Sequence, residues 1–256
     1  MLDFMFGRKQ GRALTIRVGA STDTGRVRSE NQDSYGSFSP GEVLDSSDHL
    51  FIVADGMGGH ARGQEASRMA VQVIRETYFG DRSDSVSQRL RFAFEAANRE
   101  IHRLSGGDVR SETMGTTCTA LAFCDGTLHL AHVGDSRAYR ITRSEIRLLS
   151  EDHTVVASLL REGVLTQEEA RTHPRRHALT RAIGVDASVS VDLVESEVSA
   201  GACYLLCSDG LADVAPEEIQ KVVLSKPPQQ ACDALVQMAN DLGGFDNTTV
   251  LIACVE

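Results

Sequence analysis

Five aspartates stand at the edges of short apolar runs, and this pairing constrains the chain more than any other feature. Phe51-Ile52-Val53-Ala54 runs into Asp55-Gly56-Met57-Gly58-Gly59-His60, and Tyr204-Leu205-Leu206-Cys207 runs into Ser208-Asp209-Gly210. The apolar residues at 128–133 run into Gly134-Asp135-Ser136-Arg137, while Asp33 and Asp246 stand just before the runs that begin at Ser34 and Val250. A strand that ends in a carboxylate beside glycine builds a core poorly. It does aim a hard oxygen ligand out of the end of a sheet. Several such ends converging would hold divalent cations, so the residues read first as those of a metal-dependent hydrolase.

The rest of the pattern is mixed. Short strands and turns occupy residues 16 to about 50, and two helices follow the glycine-rich segment. The first carries Ala66, Ala70, Val73 and Thr77 on one face; the second carries Leu90, Phe94, Ala97, Ile101 and Leu104 and stops at Gly106-Gly107. Strands at hairpin spacing span 116–149, with Asp125-Gly126 as a turn. Residues 152–184 depart from this, with short helical stretches broken by Gly163 and Pro174, and read as a mobile flap set outside the sheets. Strands return near 189–197 and 203–208, helices start at Pro216 and after Pro228, and a strand at 250–255 closes the chain. This order predicts an α+β fold rather than a doubly wound one. No repeat or linker marks a boundary, so residues 16–256 are expected to form one domain, with 1–15 as a flexible tail.

Composition narrows the function. Lys and Arg total 26 against 36 Asp and Glu, a net charge of −10, which disfavours a nucleic-acid partner. The same balance would repel a phosphorylated substrate unless bound cations and a local arginine invert the field at the site. Six cysteines, at 118, 124, 203, 207, 232 and 254, form no C-x-x-C pair and read as reduced core thiols. None is followed six positions later by arginine, which removes the simplest cysteine-phosphatase signature. The N-terminus has its apolar piece before its basic piece, the wrong order for a secretory signal, and no run approaches the roughly 18 apolar residues of a membrane span. A cytoplasmic monomer is the default expectation.

Two chemistries compete for the segment from Asp55. Gly56-x-Gly58-x-x-Ala61 between a strand and a helix also fits a dinucleotide-binding turn, but that reading leaves Asp209 and Asp246 idle. The metal reading uses them: Mg²⁺ and Mn²⁺ prefer oxygen ligands, and two such ions ~4 Å apart can share and acidify a water in line with a phosphoryl group. Asp55 is then the bridging carboxylate, the Gly56 carbonyl is exposed, and the planar fork of Arg28 can clamp phosphate oxygens. Taken singly, each aspartate fits a turn or cap, Arg28 a solvated charge and His60 a helix-capping residue. The set carries the argument.

The set resembles, in order, the motifs of bacterial metal-dependent protein phosphatases of the 2C type. The matching stretches are Thr24-Gly25-Arg26-Val27-Arg28-Ser29-Glu30-Asn31-Gln32-Asp33, Val53 through His60, Met114-Gly115-Thr116-Thr117, Val133-Gly134-Asp135-Ser136-Arg137, Glu151-Asp152-His153-Thr154, Cys207 through Leu211, and Asp246-Asn247-Thr248-Thr249. The resemblance implies a sandwich of two antiparallel sheets flanked by helix pairs, with a two-metal centre at one end. It implies that Asp55 bridges two Mn²⁺ or Mg²⁺ ions, that Gly56 ligates through its carbonyl, and that Asp209 and Asp246 complete the first metal's shell. Asp33 would hold a metal-bound water, Asp135 with Asp209 would offer a third, weaker site, and Arg28 would bind the phosphate. The flap would sit beside the site and influence substrate choice. Two positions depart from the pattern of eukaryotic members: Gln32 replaces a glutamate, and Met57 replaces a histidine that protonates the leaving group, leaving His60 as a substitute or as a structural residue.

The expected activity is hydrolysis of phosphoserine and phosphothreonine in proteins, opposite a bacterial eukaryotic-like Ser/Thr kinase and its substrates. Three rivals remain: a phosphoprotein-binding module without turnover, a phosphatase of sigma-factor partner switching, and a small-molecule phosphoesterase.

Overall fold

Strands that are apolar at every position need cover on both faces, and here each is sandwiched between a sheet and a helical layer. A computed structural model describes residues 15–42, 46–59, 62–80, 84–105 and 114–256. In chain order it comprises β1 (Ile16–Asp23), β2 (Asp33–Phe38), β3 (His49–Met57), α1 (Arg62–Gly80), α2 (Val86–Leu104), β4 (Gly115–Thr116), β5 (Cys118–Cys124) and β6 (Thr127–Val133). There follow β7 (Arg137–Ile141), β8 (Ile146–Leu148), α3 (Val155–Arg161), α4 (Gln167–Thr172), β9 (Asp192–Glu197), β10 (Cys203–Cys207), α5 (Pro216–Ser225), α6 (Pro228–Asp241) and β11 (Thr248–Val255).

One sheet runs β1-β11-β10-β7-β8 and the other β2-β3-β5-β6-β9, with β4 paired to β3 and every pairing antiparallel. The alternation of side chains along β3 divides the core. Leu50, Ile52 and Ala54 face α1 and α2, meeting Ala66, Ala70, Ile74, Leu90, Phe94 and Ile101. Phe51 and Val53 face the other sheet and meet Leu121, Tyr204, Leu206 and Leu251. A third cluster joins Leu205, Val250 and Ile252 to α5 and α6 through Ile219, Leu235 and Ala239. The expected sandwich with flanking helix pairs is therefore present.

Several local expectations need correction. The buried face of α1 is Ala66, Ala70, Ile74 and Tyr78, at strict i, i+4 spacing, while Val73 and Thr77 are only half-buried. Leu104 ends α2 exposed. Cys203 and Cys254, directly opposite across β10 and β11, are disulfide-bonded, so the expectation of six reduced thiols fails for this pair. Cys118, Cys124, Cys207 and Cys232 are free. The flap helices occur at the expected Val155–Arg161 and Gln167–Thr172, each N-capped by a threonine, Thr154 and Thr166. The proposed tail lies, but for Thr15, outside the described residues, as do His60 and the Gly106-Gly107 helix stop. Among the described residues no helix is long and apolar enough to cross a membrane.

Behind α1 and α2 lies a buried polar knot. Asp48 Oδ2 accepts from Tyr78 Oη at 2.9 Å and from Arg89 Nη2 at 2.9 Å, and the Arg89 guanidinium lies 4.4 Å from the centre of the Tyr78 ring. Tyr78→Phe removes one donor from a buried carboxylate and is expected to lower stability by about 1.5 kcal/mol. A urea midpoint shift with an unchanged slope would register it, and an unmoved midpoint would mean that Arg89 alone satisfies Asp48.

Candidate metal centre

The aspartates gather at one end of the sandwich, near the ends of β3 and β10. Asp55 occupies the inward-facing position that follows Phe51 and Val53, so its carboxylate points between the sheets. Its backbone N–H donates to Thr117 Oγ1 at 3.0 Å, and its carbonyl accepts from Thr117 N at 2.8 Å and Thr116 Oγ1 at 2.9 Å. Thr117 Oγ1 in turn lies 2.6 Å from Ser136 Oγ, which ties the Asp55 strand end to the loop that carries Asp135. Gly56 is required by packing: a Cβ there would stand 2.0 Å from the Gly63 carbonyl oxygen, so glycine lets α1 start against the end of β3.

Asp33 faces Asp55 directly in the β2–β3 register. Ser208 Oγ donates to Asp33 Oδ2 at 2.7 Å, and the same hydroxyl accepts the Thr249 N–H at 2.9 Å, so one serine joins the two sheets behind the site. Asp209 follows in a 3-10 turn, Asp209–Leu211. Gly210 packs there on the Asn247 carbonyl oxygen, 2.1 Å from where a Cβ would be.

Asp246 sits in the opposite wall. Asn247 beside it makes four bonds: its Oδ1 accepts from Gln32 N at 2.8 Å, its Nδ2 donates to the Thr24 and Glu30 carbonyls at 2.8 and 2.9 Å, and its N–H donates to Asp246 Oδ1 at 2.8 Å. These fix the loop that carries Arg28, whose Nη2 donates to Asp246 Oδ2 at 2.7 Å.

Asp55, Gly56, Asp135, Asp209, Asp246 and Arg28 all line one cleft of about 880 Å³. Asp33 does not line it and stands behind Asp55. From the flap, Arg176 and His177 reach the same cleft, His177 Nδ1 lying 3.6 Å from Asp209 Oδ2. The flap is held at its base: Arg181 Nη1 donates to Asp192 Oδ1 at 2.6 Å, His153 Nε2 lies 3.1 Å from Asp192 Oδ2, and His153 Nδ1 accepts the Gly134 N–H at 3.0 Å.

The electrostatics are those of a place made for cations. Burial, with Asp33, Asp209, Asp135 and Asp246 nearby, pushes the Asp55 carboxyl well above its ordinary range. Burial raises Asp33 to about 7 against the opposing bonds from Ser208 and Thr249, and burial with Asp209 raises Asp135 to about 7. Asp33 Oδ1 and Asp209 Oδ1 are buried without a hydrogen-bond partner among the described residues, an unusual condition for carboxylate oxygens. Arg28 is raised by its hydrogen bond to Asp246.

Among the described residues no three His, Cys, Asp or Glu side chains close on a single point tightly enough to hold an ion unaided. An ion at this site would need backbone carbonyl and water ligands beside the carboxylates. That is how hard divalent cations are commonly bound, and the all-oxygen donor set with orphaned carboxylate oxygens fits them.

The structure brings together seven of the eight expected site residues, and His60 lies outside the described residues. The sequence had signalled Ser208, Thr117 and Asn247 only as members of motifs. Their work, bonding one loop to another, has no local pattern. Arg176 and His177 belong to the flap, and no local pattern in its sequence marks them as facing the cleft.

A family model described as protein phosphatase 2C matches residues 24–243. The serine/threonine phosphatase stp of Listeria monocytogenes is 37% identical over 239 residues, covering 90% of this chain and 92% of the relative. The crystal structure of the Mycobacterium tuberculosis serine/threonine phosphatase PstP superposes with a TM-score of 0.84 at 35% identity, covering 94% of this chain and 99% of that one. The catalytic domain of a PstP solved in complex with two manganese ions superposes at 0.82, with 34% identity and the same coverage.

Proposed function

Because the chain belongs to the protein phosphatase 2C family and is a metal-dependent protein-serine/threonine phosphatase, we propose that its reaction takes place at the floor of this cleft, among Asp55, Asp209, Asp246 and Arg28. The observation that carries this assignment is the convergence of four cleft-lining carboxylates, two of the site's oxygens being buried and unpartnered. Asp55 would serve two Mn²⁺ or Mg²⁺ ions, the Gly56 carbonyl would serve one of them, and Asp209 with Asp246 would complete the first. Bound divalent ions supply the Lewis acidity and the acidified water that phosphomonoester hydrolysis needs.

The chain's own residues then have distinct tasks. Asp33, held by Ser208, would accept a hydrogen bond from a metal-bound water and so orient it. Asp135 and Asp209 share the flap side, where a third ion would be held more weakly. Arg28 turns its planar fork from Asp246 to the phosphate oxygens of the substrate. Asp246, when it serves an ion, would no longer need the guanidinium, which frees Arg28 for the phosphate. Asn247 keeps the Arg28 loop in place meanwhile. The substrates would be phosphorylated proteins of the cytoplasm, among them a Ser/Thr kinase and its targets. Residues 16–256 would be the whole catalytic domain.

Arg28→Ala is expected to raise KM for a phosphothreonine peptide about tenfold, with a smaller fall in kcat, and Arg28→Lys to recover part of it. Steady-state kinetics with saturating Mn²⁺ distinguishes this from a role at Asp246. In that case added Mn²⁺ would restore the variant, and the clamp assignment would be wrong.

A further inference from the structure

We propose that Phe245 is a specificity-determining residue of this phosphatase, taking an apolar side chain that lies within two residues of the phosphorylated serine or threonine. The inference rests on the placement of Arg28 as the phosphate clamp. Phe245 immediately precedes Asp246, lines the cleft, and is 65% exposed, the highest value among the large apolar side chains described.

The ring is exposed but seated. A Cβ at Gly243 would lie 2.4 Å from ring atom Cε2, so the ring packs against that glycine, whose φ of +132° other residues rarely adopt. The following turn is locked to the loop that carries Arg28: Arg26 N–H donates to the Gly244 carbonyl at 2.7 Å, and a Cβ at Gly244 would meet Arg26 Cγ at 2.7 Å. Val27, next to Arg28 in that loop, is 64% exposed. Phe245 and Arg28 thus flank the same carboxylate, Asp246, from the chain on one side and from a 2.7 Å bond on the other.

A polypeptide whose phosphate lies on Arg28 has its neighbouring side chains within reach of this ring, since two extended residues span about 7 Å. Beside the polar Glu30, Arg176, His177 and Asp213, the cleft is lined by the apolar Met57, Leu179, Ala212 and Ala239, and Phe245 is the most exposed of its large apolar side chains. Covering the ring with an apolar substrate side chain removes both surfaces from water and permits edge or face stacking. The partner chemistry is therefore a phosphopeptide with Phe, Leu or Tyr beside the phosphoresidue.

The test compares kcat/KM for phosphothreonine peptides that differ only in the flanking residues, carrying Phe, Leu, Ala or Glu at each of the two positions on either side. The wild-type chain is expected to favour the best Phe or Leu peptide over the Ala peptide by about fivefold, mainly through KM. In Phe245→Ala that ratio falls to about one, and Phe245→Leu keeps part of it. A ratio near one for the wild type, or a preference that survives in Phe245→Ala, overturns the assignment. If every peptide turns over but only the Glu peptide is favoured, the rim reads charge instead and the assignment is likewise overturned. Loss of metal-dependent turnover on all peptides by the wild type would overturn both this inference and the placement of the reaction in the cleft.

Discussion

Asp55→Asn is expected to lower turnover of a phosphothreonine peptide at least about a thousandfold while the chain stays folded. Asparagine has the same shape and keeps the backbone bonds to Thr116 and Thr117, none of which involves the Asp55 side chain. What it removes is a charge that both ions would share. The substitution also removes a buried carboxylate crowded by Asp33, Asp209, Asp135 and Asp246, so the metal-free variant should melt no lower than the metal-free wild type. The Tm gain given by Mn²⁺ should shrink. Turnover within tenfold of wild type, measured with Mn²⁺ and again with chelator, would remove Asp55 from the bridging position. A collapse of metal-free stability would instead assign it a structural role.

The second large effect is a dependence of stability on pH that metal reverses. In the metal-free protein Asp33 and Asp135 are raised from 3.8 to about 7, and Asp55 is raised further. Over that interval the folded state holds more protons than the unfolded one, so stability is greatest below the ordinary carboxylate value and is lost as pH rises through about 7. His132, lowered by burial to about 4, acts oppositely, as do His129 and His153, and their effect fades only above their ordinary value of 6.5. His177, raised by its bond to Asp209, acts in the same sense as the carboxylates. The loss therefore dominates above about pH 7, and between about pH 7 and 8 the metal-free Tm should fall by roughly 5 °C, His177 adding to the carboxylates. Excess Mn²⁺ binds the deprotonated set, so its stabilisation should grow across the same window. Differential scanning calorimetry at fixed ionic strength with chelator or Mn²⁺ measures both. A metal-free Tm that rises with pH there would mean that these carboxylates ionise freely in the folded chain.

The strands and the acidic residues at their ends were legible because they obey local rules. An apolar run at 51–54 or 204–207 has few folded forms, and glycine beside aspartate marks where it ends. The order of elements followed, including both flap helices, whose threonine caps are local signals. What escaped depends on contacts between distant segments. The face of α1 slid by one residue because Ile74 and Tyr78 meet β3 and Asp48, which periodicity alone cannot see. The cysteine pair at 203 and 254 is set by strand register across a separation of 51 residues. The pairing of Arg28 with Asp246 and the bonds of Ser208 and Asn247 likewise join residues at opposite ends of the chain.

The flap is tied down at its two ends and little elsewhere. Its base is fastened through His153, Thr154 and Arg181, whereas from Arg161 to His177 the one buried side chain is Ala170. Such a segment can change its sequence, over many generations, at small expense to folding. Related chains could thus diverge in what they recognise while inheriting an unaltered floor, with selection acting on the overhang and the centre separately.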